Sequence, residues 1–292
     1  MKEADTIWQS RTDLALELTE NLEETEVEDG ISMEIHRNPK RTIKETIIRI
    51  KNEAGEKSLG KSVGTYITIE GEDLSSPDES YHEELSHFLA QRLKNMLKPY
   101  DHILVAGLGN HQITSDSLGP FVVDNLYVTR HLKEEELLKD GKTLSAVTPG
   151  VMGQTGMEAG EIMKGVVNQI HPDVILAIDA LAARNSLRLN KTIQICDTGI
   201  APGSGVGNYR REITEQTMGV RVIAIGVPTV ISVPTIVNDA LSILADEEEE
   251  IHLEKYISPE LADMFVTPKN VDEAVKKISY TISEAINQVV KE

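Results

Sequence analysis

A single cysteine, Cys196, stands in 292 residues, so the chain can close no internal disulfide. Its neighbours are apolar or acidic, which suits a buried structural thiol better than a reactive one. So little cysteine use points to a reducing, cytosolic address. Long apolar runs are also missing: none reaches the roughly 20 residues a helix needs to cross a bilayer. Met1–Ser10 (MKEADTIWQS) lacks the basic start and apolar stretch of a secretion signal. Positive charge is short, with 29 Lys and Arg against 48 Asp and Glu, a net charge of -19. A surface of that sign repels nucleic-acid backbones and anionic membranes, which argues against either as a direct partner. It suits basic or neutral peptides, or serves solubility alone. Neither HExxH nor CxxC spacing occurs, and no internal repeat is visible.

What is present is alternation. Apolar runs at His102–Ala106, Leu144–Val147, Val174–Ile178, Thr192–Ile195 and Val220–Ile225 read as buried strands. Helical spacings follow or precede them at Tyr81–Leu97, Gly119–Val128, Met157–Val167, Pro234–Leu244 and Asn270–Val290. Strands alternating with helices through glycine-bearing loops predict an α/β fold, a largely parallel central sheet flanked by helices, phosphorylase/hydrolase-like in architecture. Thr46–Ile50 and Gly64–Ile69, split by a polar turn around Gly55, predict a small N-terminal β-containing lobe. The divisions expected are a lobe over 14–80 and a core over 81–292, or one continuous unit from 14 to 292. The acidic run Asp246–Glu250 reads as a solvated loop tip.

In a parallel sheet the loops after different strands converge at one edge. Gly107–Pro120 (GLGNHQITSDSLGP) is such a loop, and Asp116 is its one acid. Asp179 follows the apolar run VILAI, and Asp197 follows TIQIC. Each acid could simply cap the next turn. Two carboxylates brought together instead raise each other's proton affinity, so that one serves as base and the other as acid, enough for peptide hydrolysis. Thr148–Gly156 adds Gln154 and Thr155 at the same edge, and Gly109, Asn110, Gly203 and Gly205 offer backbone for close approach of a ligand. His111 is a candidate metal ligand or, with more weight, an ordinary loop side chain.

Two short matches carry little. GLGN would need glycine at Gln112 to complete a dinucleotide fingerprint. Asp197-Thr198-Gly199 matches the triplet of all-β aspartic proteases, which use two such triplets where this chain has one. Ser10–Leu16 (SRTDLAL) reads either as a helix start capped by Thr12 or Asp13, which the residues alone favour, or as a processing site.

Longer motifs then speak together. GLGN…ITSDSLGP, VTRHL (Val128–Leu132), TPGVMGQTGMEAGEI (Thr148–Ile162), AIDALAAR (Ala177–Arg184), TIQICDTGIAPGSGVGNYR (Thr192–Arg210), VIAIGVPTV (Val222–Val230), SRTDLA and FVTPK (Phe265–Lys269) together resemble the spore germination proteases. The resemblance implies an atypical aspartic endopeptidase that degrades the small acid-soluble proteins of the spore core, with catalytic aspartates at Asp116 and Asp179. It also implies a homotetramer made as a zymogen, with residues 1–13 removed by cleavage between Asp13 and Leu14, which turns the reading of Ser10–Leu16 toward processing. No cofactor is expected. The implied fold is similar to that of hydrogenase maturation endopeptidases, whose strand-end acids bind nickel, so a metal on Asp116, Asp179 and His111 is the alternative.

Overall fold

A strand that must be buried on both faces needs apolar residues at nearly every position, and residues 103–106 and 174–178 supply them. In a computed structural model, which describes residues 12–19, 30–40, 42–71, 74–135, 137, 141–203, 210–242 and 253–291, both lie at the centre of one sheet. Its strands are β1 (Ile31–Arg37), β2 (Lys44–Ile50), β3 (Gly64–Glu70), β4 (His102–Gly107), β5 (Thr143–Val147), β6 (Val174–Ala183), β7 (Thr192–Cys196), β8 (Arg221–Ser232) and β9 (Phe265–Val266). The helices are α1 (Ala15–Leu18), α2 (Glu53–Leu59), α3 (Glu79–Leu97), α4 (Leu118–Asp124), α5 (Arg130–Glu134), α6 (Met152–Thr155), α7 (Ala159–Ile170), α8 (Glu215–Met218), α9 (Val233–Ser242), α10 (Pro259–Ala262) and α11 (Val271–Lys291). Asp246–Glu250 and Gly205 lie outside the described residues.

The strand order is β1-β2-β3-β7-β8-β6-β4-β5, with β9 added to β8. The fold is α/β, as expected, but only β5, β4, β6 and β8 run parallel. β7 runs antiparallel to β8, and β3, β2 and β1 continue antiparallel beyond it. The small N-terminal β portion is therefore hydrogen-bonded onto the central sheet through β3 and β7. Two elements of it had no clear sequence signal. β1 is mostly exposed along its outer half, so its residues need not be apolar. α2 fills the supposed turn around Gly55, where Asn52 caps the helix by accepting the Gly55 N–H at 3.0 Å.

Alternate residues of each central strand face opposite layers. Ile103, Val105, Leu176 and Ile178 meet α3, α4 and α11 on one face, with Leu85, Leu89, Leu93, Ile278, Ile282 and Ile286. Leu104, Ala106, Ile175 and Ala177 meet α7 and α8 on the other, with Met163, Val167 and Met218. Cys196 is buried beneath the N-terminal strands and donates to the Gly199 carbonyl at 3.3 Å, while burial pushes its thiol pKa up. That is the inert environment its neighbours suggested.

The glycines of GLGN…SLGP serve close backbone packing of α4 on the sheet. A Cβ on Gly119 would lie 2.4 Å from the Leu108 carbonyl oxygen and 2.5 Å from that of Ile178. Backbone on both sides cannot yield easily, so Gly119→Ala should cost roughly 1–3 kcal/mol or more, read from its urea midpoint. A midpoint unchanged from wild type would show that the helix can simply shift outward.

Candidate active site

Asp116 closes a short 3-10 turn, Thr114–Asp116, at the carboxyl end of β4. The chain doubles back there because Gly109 adopts a φ of +108°, where a Cβ would sit 2.0 Å from the Asp116 carbonyl oxygen. Asn110 N–H donates to that same oxygen at 2.9 Å. Ser117 is buried and bonds the Thr114 carbonyl at 2.8 Å, and the Thr229 hydroxyl donates to the Ser115 carbonyl at 2.6 Å. The turn is held from beneath by its own hydroxyl and from the side by β8.

Asp179 does not end its strand, contrary to the sequence expectation. β6 runs on to Ala183 because β8 extends beside it, with Ala183 opposite Ile231. Asp179 continues the face of Ile175 and Ala177, so its carboxylate enters a position the strand period reserves for apolar residues. It is 5% exposed, and one oxygen accepts the Ala180 N–H at 2.9 Å. A bulge follows between Leu181 and Ala182, redirecting the backbone just past it.

Asp116 and Asp179 line one cleft of about 290 Å³, together with Gly109, Gly203, Arg210 and Asp13. Burial lifts the Asp116 carboxyl to about 6, with the Asn110 N–H and the Arg210 charge opposing the rise. Burial pushes Asp179 well above the usual carboxylate range, the Asp116 charge pushes further, and Asp13 adds to both. The Ala180 N–H and Arg210 pull it back in part. These environments favour the proton on Asp179 over Asp116.

The other expected residues fall into three groups. Gly109 and Gly203 line the cleft, as do Gly150 and Val151 of the 148–156 loop, in place of Gln154 and Thr155. Gln154 instead bonds Asn110 at 2.9 Å, tying two loops together, and Thr155 makes local turn bonds to Val151 and Met157. Asp197 is removed from the site. Because β7 is antiparallel to β8, its end points to the opposite edge of the sheet, where Asp197 accepts the Thr65 N–H at 2.7 Å and pairs with Arg221 at 3.1 Å. His111 turns from Asp116 to Asp124, 2.8 Å away, and packs edge-on against Phe121. Among the described residues no three His, Cys, Asp or Glu side chains gather to hold a metal ion.

Asp13 lines the cleft itself, and Leu14 follows it into the core. Asp13 N–H donates to the Ala182 carbonyl at 3.1 Å, and the Asp13 carboxylate accepts the Ala182 N–H at 2.9 Å. Leu14 and Ala15 are fully buried. The helix start expected here exists as well, since α1 begins at Ala15, but Leu14 is its cap residue and no side chain caps it. Behind it, the buried Glu17 carboxylate accepts the N–H groups of Arg184 at 2.7 Å and Asn185 at 2.9 Å, and also pairs with Arg188 and the Thr12 hydroxyl. Arg210 and the cleft-lining role of Asp13 were not singled out from sequence. Arg210 had one available signal, as the cation that closes a long glycine-rich loop.

Comparison with known proteins now decides the family. The germination protease family profile matches residues 10–247. The chain belongs to the germination protease family. The germination protease of Clostridium tetani is 42% identical over 303 residues, covering 95% of this chain and 94% of that one. That of Caldanaerobacter subterraneus is 44% identical over 303 residues, covering 95% and 93%. That of Priestia megaterium is 42% identical over 247 residues, covering 80% of this chain and 66% of its own. Among solved structures, a [NiFe] hydrogenase maturation protease from Thermococcus kodakarensis aligns with a TM-score of 0.40 and 16% identity, covering 69% of this chain and 99% of that one. This germination protease carries no described helix long and apolar enough to cross a membrane.

Proposed function

We propose that this germination protease degrades small acid-soluble spore proteins in the spore core, using Asp116 and Asp179 as a water-activating pair. It is made as a zymogen, cuts itself between Asp13 and Leu14, and works as a homotetramer. The observation that carries the reading is the pair itself: a buried and a half-buried carboxylate in one cleft, whose surroundings push their proton affinities apart. Asp116, ionised, takes a proton from water as its oxygen adds to the peptide carbonyl. Asp179, protonated, gives its proton to the departing amine as the C–N bond breaks. The two groups titrate as a pair, and the pair ends each cycle with one proton, as it began. General acid–base assistance of this kind contributes about 10²–10⁴-fold in rate.

The test is cleavage of a purified small acid-soluble spore protein by the full chain, with the new N-termini read by mass spectrometry. A mature chain beginning at Leu14 is expected. A new N-terminus elsewhere, or no cleavage of the substrate, rejects the reading. A chelator should leave turnover unchanged, whereas loss of turnover restored by a stoichiometric metal would replace the pair with a metal-activated water. Light scattering reads the oligomer.

The pH profile follows from the same geometry. With Asp116 ionising at about 6, kcat/KM should fall about tenfold per pH unit below 6 and level off above it. A profile flat from pH 5 to 7 would remove Asp116 from the role of base.

A further inference from the structure

The segment around Asp13 is held by more than its contact with Ala182. The Asp13 carbonyl oxygen accepts the Lys61 ammonium at 3.1 Å and the Gln194 amide N–H at 3.2 Å. The Gln194 side-chain oxygen in turn accepts the Ala15 N–H at 2.7 Å. One amide therefore grips the backbone on both sides of the Asp13–Leu14 bond. Gln194 is only 7% exposed, a polar residue within the apolar strand β7, opposite Thr68 of β3 and Gly226 of β8. A buried glutamine is costly unless both ends of its amide are paired, and here two of its bonds go to residues 13 and 15. The acid is read separately, by the Ala182 backbone N–H.

We propose that Lys61 and Gln194 are substrate-reading catalytic residues of this protease: they bind the carbonyl of the residue before the scissile bond, with Ala182 N–H selecting an acidic side chain there. The segment Asp13–Ala15 lies as a peptide substrate of acid–apolar–small pattern would lie. This rests on the function proposed above. In the reaction, water oxygen adds to that carbonyl carbon while Asp116 takes the water proton. The carbonyl oxygen gains negative charge, and Lys61 and the Gln194 N–H stabilise it. Collapse expels the amine, which takes its proton from Asp179, leaving a carboxylic acid and a new amino terminus. Donors aimed at a developing oxyanion act on kcat more than on binding.

The experiment measures steady-state cleavage of a synthetic peptide, Ser-Arg-Thr-Asp-Leu-Ala-Leu, by self-processed wild type and by variants, together with the rate of self-processing in the full chain. Lys61→Met is expected to lower kcat about 100-fold with KM changed less than about threefold. Lys61→Arg should recover to within about tenfold of wild type, because a cation returns to the carbonyl. Gln194→Glu keeps the acceptor for the residue-15 N–H but loses the donor, so it should lower kcat, while Gln194→Met should also raise KM. Lys61 is partly exposed, and its variant folds independently of how the buried Gln194 variants fare. A peptide with asparagine before the cut should bind about tenfold more weakly, having lost the charge on its hydrogen bond to Ala182 N–H. Normal kcat in Lys61→Met and in Gln194→Glu, with Asp116→Asn inactive on the same peptide, overturns this proposal and leaves the aspartate pair standing. Full activity in Asp116→Asn as well would overturn the function proposed above.

Discussion

Asp179→Asn should abolish self-processing and lower turnover at least about a thousandfold, yet leave the protein more stable than wild type at pH 8. The two effects have one cause. Asp179 is buried beside a second carboxylate, so its ionised form is disfavoured in the folded state and its pKa lies well above the unfolded value. For an acid whose folded pKa is raised, the native state holds a proton that the unfolded state releases. Stability is then lost as pH rises from the unfolded value of 3.8 toward the folded one. Asparagine keeps the shape and the acceptor for the Ala180 N–H without that penalty. We expect a gain at pH 8 that shrinks toward zero near pH 4, measured by urea unfolding across the pH range. An inactive variant that was also less stable at pH 8 would point to damage to the fold in place of lost chemistry.

Glu17→Ala should act in the opposite sense, destabilising the protein by about 3–5 kcal/mol and slowing self-processing. Its carboxylate is 1% exposed and accepts the N–H groups of Arg184 and Asn185, which lie just past the end of β6. Arg188 approaches at 3.3 Å. Alanine leaves two part-buried N–H groups without their acceptor and Arg188 without this carboxylate, and unmade bonds away from water cost more than made ones contribute. The link to function is positional, since Glu17 ties α1 to the end of β6 and so holds residues 13–15 over the cleft. Glu17→Gln, which retains one acceptor oxygen, should recover part of both losses. Wild-type processing in a destabilised Glu17→Ala protein would separate the anchor from the placement of Asp13.

Much of this arrangement was legible in the sequence. The apolar runs at β4 and β6 were unambiguous because both faces are buried, and the two acids beside them meet in one cleft. Asp197 misled for a physical reason: the position of a strand end depends on strand direction, and nothing in TIQIC distinguishes an antiparallel β7 from a parallel one. The run-on of β6 past Asp179 was hidden because a buried carboxylate reads locally as punctuation, and only pairing with β8 shows otherwise. β1 escaped because its outer residues are exposed and polar. Gln194 carried a usable signal, a polar side chain amid isoleucines, but its partners are far away in the chain and only the fold unites them.

The hydroxyl that holds the Asp116 turn from the side has a consequence for rates. Thr229 is fully buried in β8, donates to the Ser115 carbonyl, and itself receives the Thr267 hydroxyl at 2.8 Å through its own carbonyl. A turn tied in this relay to a central strand and to the segment after β9 has few alternative conformations left. The entropy of ordering the carboxylate proposed to take the water's proton is lost when the chain folds and not again at each encounter with substrate. If Asp116 is the base proposed above, its rate of proton transfer is coupled, through two threonine hydroxyls, to how firmly the C-terminal third of the chain is packed.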